Sequence, residues 1–250
     1  MGTINILGYS ISNRGLKGDV DLAWQSVQSG GRQCCVACAN PHALVTASQD
    51  GLFAQALKNA EILLPDGAGI VLAAKALNQS LPERVAGTEF FLEITRRADE
   101  RGGIGCFFLG SSESVLAQIV ERLRKDFPTV RVCGTHSPPF KETFSEEDTL
   151  EMVKAVNAAA PDMLWVGMTA PKQEKWVYAN RDSLDVPFIG SIGAAFDFYA
   201  GTKKRAPGWV RDMGLEWLPR LVREPGRLWH RNFVSTPSFV AMVMKQKFSD

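Results

Sequence analysis

The sequence has 250 residues, of which 45% are hydrophobic and 22% are charged. This composition is typical of a soluble globular protein and excludes a disordered or collagen-like chain. Its 28 Lys and Arg nearly balance its 27 Asp and Glu, which argues against a basic coat for nucleic acid. The charge is unevenly placed, however. Residues 201–250 hold ten basic and four acidic residues (+6), which leaves 18 and 23 (−5) for residues 1–200.

Short apolar, β-branched runs alternate with longer segments of helical periodicity along the first 200 residues. Strands that alternate with helices of roughly 10–15 residues indicate βαβ units around a mostly parallel sheet. We predict strands at about 3–9, 33–39, 62–65, 105–109, 129–135, 162–168 and 186–191. We predict helices at about 19–29, 41–59, 67–78, 88–101, 112–126, 145–159 and 172–182.

After about residue 200, prolines and tryptophans punctuate short helical pieces. We therefore divide the chain into an α/β core over 1–200 and a basic, mostly helical appendage over 201–250. The N-terminus shows no basic region followed by an apolar stretch, and no apolar run reaches the ~18–20 residues of a spanning helix. These features predict a protein that stays in solution or lies on a membrane surface.

Two short patterns bear on redox and metal chemistry. Cys35 and Cys38 form a CxxC pattern, but the sequence offers neither a second pair nor a helix N-terminus, so we interpret them as buried strand thiols. Asp19 and Asp21 match the DxD pattern that binds Mg²⁺ or Mn²⁺ in sugar-nucleotide transferases. Their position at the start of a predicted helix favours capping instead, and we expect no metal.

Ligands of open α/β sheets bind at the carboxyl ends of the strands, so the strand-to-helix turns are where we look for chemistry. Asn40 follows one strand and could bind sugar hydroxyls or cap the next helix. Asp66 follows another, ahead of glycines that let a ligand approach, and could act as a general base, a helix cap or both. Arg84 lies in a loop and could pair with a phosphate or be solvated.

Later turns carry weaker signals. The turn at Gly110 suits an anion but lacks the full GxGxxG fingerprint of a dinucleotide site. Gln173 lies near the carboxyl end of a predicted strand, where it could contact a ligand or simply belong to the first turn of an ordinary amphipathic helix. Asp197 ends a small apolar run and needs a partner, which could be ribose hydroxyls, a lysine or a helix N-terminus.

Arginines recur at helical spacing in the appendage, interrupted by Pro225. With the neighbouring aromatic residues they suit a polyanionic partner or a membrane surface, although a solvated basic face is the ordinary alternative. The arginines are Arg220, Arg223, Arg227 and Arg231.

Seven short strings occur in order along the chain. They are Ala39–His42, Pro65–Gly69, Arg84–Glu89, Pro171–Trp176, Phe196–Phe198 with Gly201, Arg205–Pro207 and Gly214–Leu218. Through them the sequence resembles the WecG/TagA/CpsF glycosyltransferases, family 26, from about residue 5 to residue 235. The resemblance implies a Rossmann-like core with a C-terminal helical appendage, the GT-E type.

The resemblance also implies an activity and partners. The family enzyme is an inverting transferase that needs no metal. It moves a hexose or N-acetylhexosamine, or its uronic acid, from a UDP-sugar to a polyprenyl-pyrophosphate-linked saccharide. The products serve cell-surface polysaccharide or exopolysaccharide biosynthesis. The appendage would hold the enzyme peripherally on the inner face of the bacterial plasma membrane, and the sequence leaves a homo-oligomer open.

Carried over by position, Asp66 matches the family's proposed base. Asn40, Arg84 and Gln173 match pocket residues around the donor sugar and phosphates, and Asp197 matches a nucleotide contact. Arg220 and Arg227 match arginines thought to stabilise the diphosphate leaving group. The departures from the family pattern are Cys38 for a usual threonine, Glu89 for a usual aspartate and His230 for a common arginine, with Arg231 adjacent.

The residues leave two other function classes open. The alternating βαβ pattern also fits a Rossmann-type NAD(P)-dependent oxidoreductase, although the missing GxGxxG counts against it. The other class is a non-catalytic module that binds a sugar nucleotide or docks on a membrane.

Overall fold

The computed structural model describes residues 2–193, 195–203, 226, 229 and 231–249. Its strands are β1 Thr3–Ile6, β2 Tyr9–Ser12, β3 Cys34–Ala39, β4 Ile62–Pro65, β5 Gly105–Gly110, β6 Arg131–His136, β7 Met163–Gly167 and β8 Phe188–Ser191. Its α-helices are α1 Gly15–Ser29, α2 Pro41–Ala47, α3 Gly51–Lys58, α4 Ala68–Ala76, α5 Gly87–Arg101, α6 Glu113–Asp126, α7 Glu146–Ala159, α8 Lys172–Asn180, α9 Ala195–Ala200 and, last along the chain, α10 Thr236–Ser249.

The central sheet has the strand order β4-β3-β8-β7-β5-β6, and every neighbouring pair is parallel. β3 is followed by β4 at one edge, after which the chain crosses to β5 beyond β8 and β7. All six carboxyl ends therefore meet along one edge of the sheet, where α/β proteins bind ligands. The mostly parallel, helix-flanked sheet that the sequence predicts is confirmed.

Helices cover both faces of this sheet. On one face, buried residues of α1, α5, α6 and α9 pack on alternate strand residues, and Trp165 of β7 meets Phe91 of α5 edge-on at 4.9 Å. On the other face, α2, α3, α4 and the β1–β2 hairpin cover β3 and β4, while α7 and α8 cover β5, β7 and β8. Strands buried on both sides explain why their sequences are continuously apolar rather than alternating.

Three predicted boundaries are wrong. The strand expected at 3–9 is an antiparallel hairpin, because Leu7 and Gly8 turn the chain with φ of 55° and 79°. The helix expected at 41–59 is two helices, since the side chain of Asp50 caps α3 by accepting the N–H of Phe53. The helix expected from 19 begins at Gly15.

The last described helix, α10, packs back onto the N-terminal part of the chain. Phe239 and Val243 are buried in the cluster that contains the hairpin and α2. Gln246 Oε1 accepts the N–H of Leu7 at 2.8 Å. The domain boundary near residue 200 stays a prediction, but α10 shares a hydrophobic core with the hairpin. Within the part of the chain that the structure describes, no helix is long and apolar enough to cross a membrane.

Candidate active site

Asp66 stands directly after β4, at the carboxyl edge of the sheet. Its N–H donates to the carbonyl of Ala39 at 2.8 Å, which ties the tip of β4 to the tip of β3. The predicted cap role of Asp66 is wrong, because the N-cap of α4 is Gly67, with a φ of 98° and no side-chain cap hydrogen bond. The carboxylate of Asp66 is instead partly exposed at the strand tip, where a base would have to be.

Arg84 lies between two carboxylates at this edge. Its Nη2 is 3.1 Å from Glu89 Oε1, and its Nη1 is 4.0 Å from Asp66 Oδ1. The loop that carries Arg84 is held to β4 by the N–H of Val85, which donates to the carbonyl of Pro65 at 3.0 Å. The solvated alternative for Arg84 is therefore wrong, and a guanidinium stands beside the candidate base.

Asn40 occupies the tip of β3 and caps α2. Its Oδ1 accepts the N–H of Ala43 at 3.0 Å. The helix-cap alternative for Asn40 is thus confirmed, and its contact with a sugar stays a prediction.

Gln173 and Glu174 form a buried polar pair in the first turn of α8. Their residues are only 3% and 5% exposed, and Gln173 Nε2 donates to Glu174 Oε1 at 2.8 Å. Burial raises the pKa of Glu174 to about 7, although the hydrogen bond from Gln173 acts in the opposite direction. Sequence analysis missed Glu174, since an acid in a first helical turn is ordinarily exposed to solvent.

Cys38 lies among these groups. Burial raises the pKa of its thiol well above the usual value, and the carboxylates of Asp66 and Glu174 raise it further. A Cβ placed on Gly87, the first residue of α5, would lie 3.1 Å from Cys38 Sγ. The prediction of buried strand thiols is confirmed for Cys35, and the Cys38 thiol is also buried although its residue as a whole is partly exposed.

Asp197 pairs with a lysine of the same chain. Lys203 Nζ is 3.4 Å from Asp197 Oδ2, and the hydroxyl of Thr202 donates to the Asp197 carbonyl. This confirms the lysine alternative, while the nucleotide contact of Asp197 stays a prediction. Four further residues named from the sequence, Arg220, Arg223, Arg227 and His230, lie outside the described residues.

The predicted capping by the DxD pattern is wrong, because α1 begins four residues before Asp19. Asp19 is fully buried and accepts the hydroxyl of Ser12 at 2.5 Å, while Asp21 pairs with Arg97. Burial raises the pKa of Asp19 to about 6. Among the described residues, no group of three or more His, Cys, Asp or Glu side chains could hold a metal ion.

A parallel sheet with charged and amide side chains gathered at its carboxyl edge defines a Rossmann-like ligand-binding α/β protein. The sequence comparison defines the family within that class. The chain belongs to the glycosyl transferase WecG/TagA/CpsF family, whose model matches residues 4–250. This membership favours a transferase over the oxidoreductase alternative.

Curated relatives from three bacteria cover most of the chain. A protein of Bacillus spizizenii strain W23 is 31% identical over 212 residues, which are 85% of this chain and 79% of the relative. A Bacillus subtilis strain 168 protein is 28% identical over the same shares, and one of Staphylococcus aureus strain MW2 is 26% identical over 85% and 80%. Each relative is an N-acetylglucosaminyldiphosphoundecaprenol N-acetyl-β-D-mannosaminyltransferase.

Proposed function

We propose that this glycosyltransferase is an inverting, UDP-sugar-dependent enzyme of cell-surface polysaccharide or exopolysaccharide biosynthesis. It transfers a hexose or N-acetylhexosamine, or its uronic acid, to a saccharide on a polyprenyl-pyrophosphate lipid. The observation that carries the proposal is the carboxylate of Asp66 at the tip of β4, beside the Arg84 guanidinium. The names of the relatives support a lipid-diphosphate-linked acceptor.

The transfer needs one base and one site for the leaving group. The acceptor oxygen attacks the anomeric carbon from the face opposite UDP, while Asp66 takes the proton of the acceptor hydroxyl. The bond from the anomeric carbon to the β-phosphate oxygen breaks, and UDP leaves with the electron pair. Arg84 can pair with the donor diphosphate by bidentate hydrogen bonds. Arg220 and Arg227 are further proposed partners of the leaving diphosphate, and Asn40, Gln173 and Asp197 are proposed contacts of the donor.

An exposed apolar stripe on the C-terminal part of the chain supports the proposed membrane attachment. Its members recur at helical spacing, and Trp229 stacks on Phe233 with their ring centroids 4.2 Å apart. Lys245 and Lys247 lie beside the stripe on the exposed surface. The α10 stripe, named for the helix that carries most of it, comprises the exposed side chains of Val240, Met244 and Phe248 on α10 and of Trp229 and Phe233 ahead of it. It suits peripheral binding on the anionic inner face of a bacterial plasma membrane.

Substitution of the proposed base tests the mechanism. We expect Asp66→Asn to lower kcat by about 10²- to 10⁴-fold, because an amide cannot accept the acceptor's proton. The assay measures transfer of labelled sugar to a polyprenyl-pyrophosphate-linked N-acetylglucosamine without added metal. Its donors are UDP-glucose, UDP-N-acetylglucosamine, UDP-N-acetylmannosamine and the uronic acid of the last.

Asp21→Asn is the matched control for this assay. Asp21 also pairs with an arginine, Arg97, which lies ten residues along α5 from Gly87 and therefore about 15 Å from the carboxyl edge. Near-wild-type turnover of the Asp66→Asn enzyme would remove Asp66 as the base. Loss of turnover in both variants would show that the effect is not specific to the site.

A further inference from the structure

The pair formed by Gln173 and Glu174 leaves two buried polar atoms without a partner among the described residues. Gln173 Nε2 and Glu174 Oε1 satisfy each other at 2.8 Å. Gln173 Oε1 and Glu174 Oε2 are buried and accept no hydrogen bond. An unsatisfied buried polar group costs about 1–3 kcal/mol, so an apolar helix start would be more stable here. Such an arrangement at the carboxyl edge of the sheet points to a ligand.

The unpaired oxygen of Gln173 faces the turn that follows β8. A Cβ on Gly193 would lie 3.2 Å from Gln173 Oε1, 3.3 Å from Gln173 Nε2 and 3.4 Å from the carbonyl oxygen of Met168, which follows β7. Since Nε2 is bound to Glu174, Oε1 is the atom of this carboxamide that lacks a partner among the described residues. The carboxamide therefore sits between the carboxyl ends of β7 and β8. Glu174 lies behind it. Its carboxylate raises the pKa of the Cys38 thiol, and so does the carboxylate of the proposed base, Asp66.

We infer that Glu174 is a positioning residue, whose carboxylate fixes the carboxamide of Gln173 so that Gln173 Oε1 accepts a hydrogen bond from the transferred sugar. The sugar's donor is a hydroxyl or an acetamido N–H. This inference rests on the proposed function, because it assigns the oxygen to a sugar donor. An ionised carboxylate can only accept, so it holds Nε2 toward itself and turns Oε1 toward the ligand.

Protonation of Glu174 removes this constraint. A neutral carboxyl can both donate and accept, so it pairs with either end of the carboxamide. Burial places the pKa of Glu174 at about 7, so the two states exchange near neutral pH. The carboxamide is therefore fixed at pH 8 and free to reverse at pH 6.

Two thiols lie close to Glu174, and both stay neutral over this interval. Burial holds the thiols of Cys35 and Cys38 neutral, with pKa values of about 12 and well above the usual value. Lys175, the next residue, is bound to Asp50 at 2.8 Å. Glu174 also lines a small pocket with Tyr178 and Arg181, and the carboxylate of Asp66 lies near the same thiol, Cys38.

The test measures the Kd of UDP-N-acetylmannosamine for the full chain at pH 6 and pH 8 by calorimetry. The diphosphate of a UDP-sugar has no terminal phosphate, so the ligand keeps its charge between these values. We expect wild-type Kd to be roughly twofold lower at pH 8, because a carboxamide that reverses freely presents Oε1 to the sugar only about half of the time. Glu174→Gln, a neutral side chain of the same size, should show the wild-type pH 6 value at both pH values. Its affinity for UDP alone at pH 8 should be unchanged.

Asp19→Asn is the matched control, since Asp19 is also a buried acid with a raised pKa and an unpaired oxygen. It should keep the wild-type pH dependence of Kd. The inference is overturned if Glu174→Gln keeps the wild-type dependence, if wild-type Kd does not change with pH, or if Asp19→Asn loses the dependence as well. Asp66-dependent transfer with any of these results would leave the proposed function standing. The expected Kd pattern without such transfer would overturn the transfer chemistry of the proposed function and leave the sugar contact of Gln173 standing.

Discussion

Gly193 has a left-handed backbone, with a φ of 46°, in the turn next to the Gln173 carboxamide. Gly30 has a similar φ of 58°, but its Cβ position is open and it ends α1 at the opposite edge of the sheet. Both glycines need a positive φ, but only at Gly193 would an added methyl group meet another side chain, that of Gln173.

We therefore expect Gly193→Ala and Gly30→Ala to lose similar stability, about 1 kcal/mol each, because alanine is strained at positive φ. Only Gly193→Ala should also weaken UDP-sugar binding, by several-fold, since its methyl group pushes Gln173 Oε1 from its position. Urea unfolding and calorimetric titration of the two variants measure these effects. Equal sugar-nucleotide affinity in both would show that the turn does not position the carboxamide.

The α10 helix has one buried apolar face and one exposed apolar face. Phe239 and Val243 pack into the core, while Met244 and Phe248 are exposed on the α10 stripe. Replacing both exposed side chains with serine removes apolar area that a bilayer would bury, so we expect at least a tenfold loss of partition onto anionic liposomes.

Leu150→Ser on α7 is the control for the stripe, because Leu150 is a comparably exposed leucine on the face covered by α7 and α8. Cosedimentation with vesicles compares the double variant with this control. Unchanged sedimentation of the double variant would mean that α10 is not the attachment surface.

The elements of the main sheet were predictable to within about two residues, because each buried strand is an apolar run bounded by turn residues. The hairpin could not be predicted, because its turn places Leu7 in a left-handed backbone conformation that leucine rarely adopts. The boundary between α2 and α3 could have been predicted, because Asp50 before Gly51 is a typical N-cap residue.

The candidate site was predictable only in part. Parallel strands bring their carboxyl ends together, so Asp66 and Asn40 could be placed on one edge from the sequence. The bridging of Asp66 and Glu89 by Arg84 depends on the path of a loop. The burial of Glu174 depends on how α8 lies on β3 and β8, and no local pattern distinguishes it from an exposed helix start.

Two buried acids, Asp19 and Glu174, make the molecule less stable as the pH rises from 4 to 8. Burial raises the pKa of Asp19 from 3.8 to about 6 and that of Glu174 from 4.5 to about 7. Between each pair of values the folded state holds a proton that the unfolded state has released, so the free energy of unfolding falls as pH rises. Each acid contributes on the order of 3 kcal/mol to this loss.

We therefore expect the Tm of the wild-type chain to be several degrees lower at pH 8 than at pH 5. Glu174→Gln and Asp19→Asn should each reduce this difference, because an amide releases no proton. Thermal unfolding at both pH values measures it. A difference of wild-type size in both variants would mean that other groups cause the dependence.

The hydrogen bond between Leu7 and Gln246 joins positions 239 residues apart. At about 5–20 residues per second, a ribosome needs roughly 10–50 s to make that interval of chain. Throughout that interval the surfaces of α2 and α4 that α10 covers stay open, and the N–H of Leu7 lacks its partner in this helix. This corner of the core should therefore close only after residue 246 has been made, and a chain stopped before it would expose these apolar surfaces to aggregation.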